Sequence, residues 1–344
     1  MPATNGSEPQ RGLRPPEVSA APGDPRIRNT VIETHGLVQV YGDQRALDGI
    51  DLSVPEGSIM GVIGPSGCGK STLVRALTGM ERPTEGTVTV FGKDPAIATS
   101  RMRSRFGYMP QMPTLFPNLS ASANLSFIAS LYGVPWRGRR QRLRRMLDLV
   151  ELTPHRRKQV SELSGGMQRR LTLAATLVHE PELLFLDEPT AGVDPVLRER
   201  FWTHFRELRD EGRTIVVPTQ YVNEAVSCDT VAVMARGRLI AVQPPDRLAP
   251  LAFGGVPVLL RLRSAWFGTG DLRRLAATAG IHSASGHDEG LLVVLDERDA
   301  DLVALRAAVE GMGADVEDVV LLEPTYDEIF VRLIERLAPT EVGA

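Results

Sequence analysis

Cysteine is nearly absent: two residues, Cys68 and Cys228, stand in a chain of 344. That is too few for a disulfide framework and fits a reducing cytosol. Long apolar runs are missing as well. Nothing approaches the roughly 20 apolar residues a membrane-crossing helix requires, and the N-terminus has no continuous apolar segment to act as a signal. Work at a membrane would therefore need another chain to span it. A basic excess is lacking too, since 39 Lys and Arg face 42 Asp and Glu for a net charge of −3. Such a balance gives no global field for non-specific nucleic-acid binding, and no nucleic-acid partner is expected. Lysine is scarce and occurs only at Lys70, Lys93 and Lys158. What remains is ordinary for a globular protein, with 42% apolar and 24% charged residues, enough for one large domain and a smaller one.

Residues 1–29 are rich in Pro, Gly and small polar side chains and are expected to form a disordered tail. From Val31, short β-branched runs ("VIETHGLVQV", "ALDGIDLSV", "SIMGVIG") predict strands, and "KSTLVRALTGM" predicts a helix. "GTVTVFGK" reads as a hairpin-like pair. Helical periodicity dominates from about 119 to 180 before strands return at "LLFLDEP", "TIVVPT" and "TVAVMARGRLI". This alternation implies a mainly parallel α/β core with a helical block inserted. After about residue 249 the order becomes β, α, β, β, α, β, the split-βαβ pattern of a ferredoxin-like α+β domain, closed by the amphipathic helix "EPTYDEIFVRLIERLA". "PTEVGA" is expected to fray.

Three motifs carry chemistry. "GPSGCGKST" (Gly64, Pro65, Ser66, Gly67, Cys68, Gly69, Lys70, Ser71, Thr72) follows an apolar strand and opens a helix. Its glycines let backbone N–H groups and the helix N-terminus wrap phosphates. Lys70 adds a point charge on the β and γ phosphates, the Ser71 hydroxyl suits Mg²⁺, and Thr72 lines the α phosphate. In "LLFLDEPTAGVDP" a strand ends in Asp187, the candidate Mg²⁺ partner, and Glu188, the candidate general base for water attacking the γ phosphate. "LSGGMQRR" places Ser164 at an N-cap, with Gly165 and Gly166 beginning a second anion-suited helix terminus.

The ordered set of P-loop, "GYMPQ", "LSGGMQ" and "LLFLDEP" resembles the ATP-binding cassettes of ABC transporters over about residues 31–245. The resemblance implies a P-loop NTPase cassette over 30–248, with a RecA-like core, an antiparallel β subdomain and a helical subdomain at about 112–180. Residues 249–344 would be the accessory domain. It further implies that Tyr41 stacks on adenine and that Gln111 reaches Mg²⁺ and the attacking water. Ser164, Gly165 and Gly166 would contact ATP held by a second cassette, and Asp194 would lie in a loop crossing the dimer interface. ATP and Mg²⁺ are the implied cofactors. The implied partners are a second cassette, most simply in a homodimer, and a separate polytopic permease that holds the chain on the cytoplasmic face of the membrane.

"PNLSASANLSFIASLYGVP", "TQYVNEA" and "EPTYDEIF" look like the drug-exporter branch, with the segment after Gln111 receiving the permease's coupling helix. An importer cassette with a C-terminal small-molecule sensor and a soluble ABC ATPase are the alternatives. Where most cassettes place a γ-phosphate-contacting histidine, this chain has Gln220. Its amide can still donate to phosphate but cannot become cationic near neutral pH.

Overall fold

The computed structural model describes residues 29–264, 268–296 and 301–337; the expected N-terminal tail over 1–29, except Asn29, and "PTEVGA" lie outside them. The N-terminal part runs β1 (Thr30–Tyr41), β2 (Gln44–Pro55), β3 (Ile59–Ile63), α1 (Lys70–Leu77), β4 (Glu85–Val90), α2 (Ser100–Arg103) and β5 (Phe106–Met109). Then follow α3 (Ala121–Leu131), α4 (Trp136–Leu149), α5 (Gly165–Leu177), β6 (Leu183–Leu186), α6 (Pro195–Asp210), β7 (Thr214–Thr219), β8 (Thr230–Ala235), β9 (Arg238–Gln243) and α7 (Pro245–Phe253). The C-terminal part is β10 (Val256–Ser264), α8 (Thr269–Ala276), β11 (Ile281–His287), β12 (Gly290–Leu295), α9 (Leu302–Gly311), β13 (Asp315–Leu321) and α10 (Tyr326–Leu337).

Three sheets result. The central one has the order β5-β6-β7-β3-β8-β9, parallel except for the antiparallel edge strand β9. Its inner strands are short and apolar on both faces (β3, β6 and β7 are buried at every position), as strands covered on two sides must be. Phe185, Phe201 and Phe205 are fully buried there, each worth about 1.5–3 kcal/mol of transfer free energy. A second, antiparallel sheet, β2-β1-β4, covers the P-loop side. Helices α3, α4 and the start of α5 form the helical block.

The hairpin expected in "GTVTVFGK" is a correction: only β4 is a strand, pairing with β1. Phe91 and Gly92 both take positive φ (50° and 69°) in a tight turn, and the return reaches a single bridge, Val90 to Lys93. Asp94 then caps a 3₁₀ turn at Pro95, which stops a second strand. Strand β5 carries no clear pattern in the sequence, being only four residues long and containing Gly107. A Cβ at Gly107 would meet the Leu184 side chain at 2.7 Å, so β5 packs too close to β6 for any larger residue.

The third sheet has the order β11-β12-β10-β13, all antiparallel, the strand order of a split βαβ fold. Strand β12, "GLLVVL", is apolar on both faces for a reason. Leu291, Val293 and Leu295 pack under α8 and α9 with Leu275, Leu305 and Val309, while Leu292 and Val294 join Phe253, Ile329 and Leu333. Helix α10 thus returns to the cassette and packs against α7. A Thr325 and Glu328 capping box starts it (2.8 and 3.3 Å), and Arg336 donates to the Leu251 carbonyl at 3.0 Å.

Candidate functional site

Four loops leave the carboxyl ends of the adjacent parallel strands β5, β6, β7 and β3, and they bring Gln111, Asp187 with Glu188, Gln220 and the P-loop to one edge of the sheet. Such an edge is where open α/β sheets bind ligands. The P-loop is tight at two of its glycines, which have no room for a side chain, while Gly67 sits in open space at φ of 78°. A Cβ at Gly64 would meet the Met234 carbonyl oxygen at 2.4 Å, and one at Gly69, with φ of 110°, would meet the Ala46 oxygen at the same distance. Gly69 caps α1, so Lys70, Ser71 and Thr72 occupy its first turn. Lys70 is 7% exposed, and its Nζ donates to the carbonyls of Gly64 (2.6 Å) and Pro65 (3.0 Å). Cys68 is buried and reduced within the same loop.

Ser71 Oγ donates to Asp187 Oδ2 at 3.1 Å, which joins the P-loop to the end of β6. Asp187 is 3% exposed, and burial pushes its carboxyl above the ordinary range. The Ser71 hydrogen bond opposes that shift and the neighbouring Glu188 charge adds to it. Glu188 is itself 9% exposed and takes a left-handed φ of 51°, uncommon for a residue with a side chain. Its N–H donates to the Pro218 carbonyl at 2.8 Å, and Gln111 Nε2 approaches its Oε2 at 3.5 Å. Gln220 is exposed, two residues beyond Pro218 and one beyond the fully buried Thr219. The structure therefore brings the end of β7, at Pro218, beside Glu188, with Gln220 two residues further along.

Tyr41 ends β1 beside α1, 42% exposed, with its hydroxyl donating to Glu81 Oε2 at 2.5 Å. Partial burial and the Glu81 carboxylate both raise its pKa, and the neighbouring Thr72 hydroxyl opposes the shift. The Tyr41 hydroxyl thus lies near α1, which the P-loop opens.

The remaining predicted residues form a separate, exposed group. Ser164 caps α5, its Oγ accepting from Met167 N–H at 3.3 Å, with Gly165 and Gly166 exposed in the first turn. Asp194 caps α6, accepting from Leu197 N–H at 3.0 Å. A Cβ at Gly166 would lie 3.9 Å from the Gly192 oxygen, so the two caps are neighbours.

One residue of this region escapes the sequence reading. Arg169, on α5 just past the signature glycines, donates from Nε to the Glu188 carbonyl (3.0 Å), from Nη1 to the Gln111 carbonyl (3.0 Å) and from Nη2 to the Asp187 carbonyl (3.1 Å). A doubled arginine in a signature helix was the only local sign of it.

Against known proteins, the family model described as ABC transporter matches residues 47–191. The daunorubicin resistance ATP-binding protein DrrA3 of Streptomyces coeruleorubidus is 38% identical over 311 residues, 89% of this chain and 96% of that protein. The Nod factor export ATP-binding protein I of Sinorhizobium fredii is 33% identical over 310 residues, covering 90% and 87%. Among solved structures, an ATP-binding subunit of an ABC transporter superposes with a TM-score of 0.61 at 26% identity, over 65% of this chain and 94% of that one. A dimeric cassette in a post-hydrolysis state with ADP and phosphate gives 0.58 at 26%, over 62% and 98%. With the P-loop, the acidic strand end and the signature helix assembled on one cassette fold, the chain belongs to the ATP-binding subunits of ABC transporters, ATPases coupled to transport.

Proposed function

We propose that this chain hydrolyses ATP at sites shared between two copies of itself and thereby drives export through a separate membrane permease. The observation that carries the reading is the division of the motifs. Lys70, Ser71, Asp187, Glu188 and Gln111 converge on one sheet edge, while Ser164, Gly166 and Asp194 form an exposed group at two helix N-termini. A γ phosphate on the P-loop would exchange Lys70 from its loop carbonyls to phosphate oxygen. Tyr41 would hold the base, and Glu188 would accept a proton from water placed by Gln111 and Gln220. The exposed N-terminus of α5 on a second copy would then close on the same phosphate.

The donors Ser71 Oγ and Asp187 Oδ2, 3.1 Å apart, are hard oxygens of the kind Mg²⁺ takes. One carboxylate and one hydroxyl suffice where substrate phosphates supply further ligands, so Ser71, Asp187 and Gln111 would hold it. Bound there, Mg²⁺ neutralises charge on the phosphates.

Among the described residues no helix is long and apolar enough to cross a membrane. Met112 (76% exposed), Phe116, Phe127, Leu131 (69%) and Trp136 (78%) are exposed apolar side chains in and beside the helical block, with Phe116 and Phe127 packed edge to face. They suit a permease segment. Relatives named for daunorubicin resistance and Nod factor export support a drug, lipid or other hydrophobic or cell-envelope molecule as cargo. Replacing Glu188 by Gln is expected to keep ATP binding and lower turnover roughly 10²–10⁴-fold. Turnover comparable to wild type in a steady-state phosphate-release assay would remove Glu188 as the base.

A further inference from the structure

We propose that Arg169 is a positioning residue for hydrolysis: its guanidinium sets the orientation of Glu188 and passes any rotation of the helical block to that residue. The proposal rests on the reading of Glu188 as the base. Its grounds are geometric. Glu188 keeps a left-handed φ of 51°, which persists in a non-glycine residue only where the surroundings over-determine it. Those surroundings are identifiable: Pro218 O takes its N–H at 2.8 Å, and its own carbonyl accepts from Ala191 N–H at 3.2 Å and from both Nε and Nη2 of Arg169. The same guanidinium also holds the carbonyls of Asp187 (3.1 Å) and Gln111 (3.0 Å).

One planar fork therefore ties three backbone positions, on loops from β5 and β6, to helix α5, whose cap is Ser164. A lysine presents a point charge and could not span them all. The adjacent Arg170 serves the other side, donating to the Val150 carbonyl at 3.0 Å and facing Glu151 at 3.7 Å. Arg170 thus knits the helical block together, and Arg169 joins that block to the strand ends carrying the catalytic carboxylates.

The test uses the purified full chain with R169A, R169K and E188Q, singly and as R169A with E188Q. Turnover, ATP affinity by equilibrium titration and thermal melting are read for each. R169A is expected to lower kcat roughly 10–100-fold with ATP affinity and Tm near wild type, since displacement of a catalytic group by an ångström or so has effects of that order. R169K should recover part of the loss. In the E188Q background R169A should bring little further loss, because the two act through one group. A wild-type rate in R169A beside an inactive E188Q overturns the proposal alone. A fall in kcat that only follows a fall in Tm and ATP affinity, or multiplicative losses in the double variant, also overturns it. A wild-type rate in E188Q alone overturns the base assignment and this proposal with it. R169Q carries the same readouts if R169A does not fold.

Discussion

The two groups of motif residues are built in opposite ways. At the carboxyl ends of β3 and β6, Lys70, Asp187 and Glu188 are at most 9% exposed and are held by hydrogen bonds within the chain, while Gln111 beyond β5 is exposed. Ser164, Gly165, Gly166 and Asp194 are exposed, and the two caps bond only to the first turns of their own helices. Burial holds a charged group in a fixed geometry, which suits groups that act on phosphate within one chain. Exposure at a helix N-terminus leaves an anion site accessible to something outside the chain. That difference is what the proposed sharing of each site between two chains requires.

The contrast can be attacked from the exposed side first. Ser164→Arg is expected to lower turnover by roughly 10²-fold or more, the scale of removing donors aimed at developing charge, while a titration of ATP binding to the isolated chain stays near wild type. Loss of binding in that variant would mean that Ser164 belongs to the same half as the P-loop. A smaller effect is expected at Gln220, which is exposed although its strand is buried. Gln220→Ala should lower activity by less than about tenfold, and by more than Gln220→His, since a neutral hydrogen bond is worth about 0.5–1.5 kcal/mol. Equal rates in the alanine variant and wild type would reduce Gln220 to a strand-end residue.

The smallest effect concerns the buried side and its pH dependence. Because burial raises the Asp187 pKa, the folded chain holds a proton that the unfolded chain releases between the ordinary and the raised value. Stability from this group is full below the ordinary carboxylate range and is lost as pH rises through the raised pKa. Asp187→Asn should therefore melt higher than wild type near neutral pH without nucleotide. Each ~1 kcal/mol recovered appears as about 2–4 °C, and the gap should close on acidification. A gap that does not change with pH would show that the burial of Asp187 is fully compensated by Ser71.

The residues that sequence made legible are those whose chemistry is local. A phosphate loop is nine consecutive residues with fixed glycine positions, and Asp187 with Glu188 follows directly from an apolar strand end. The split βαβ order of the C-terminal part was equally local, since each strand and helix there carries its own period. What depends on distant contacts was not legible. Arg169 gains its meaning from carbonyls on two other elements, and β5 is too short to announce itself. Helix α10 reads from its amphipathic pattern, but its return to α7 does not, because Ile329 and Leu333 would suit any apolar surface. The relatives support this wider unit: the likeness to DrrA3 spans 89% of the chain, whereas that to the cassette structures spans 62–65%.

The central claim, that one chain supplies only half of each site, is tested most directly by the sedimentation of Glu188→Gln with ATP, alone and combined with Ser164→Arg. The account predicts that Glu188→Gln sediments at twice the mass of one chain when ATP is present and that the added Ser164→Arg returns it to a single chain with ATP still bound. A Glu188→Gln chain that stays single with ATP, or a pair that survives Ser164→Arg, would contradict it.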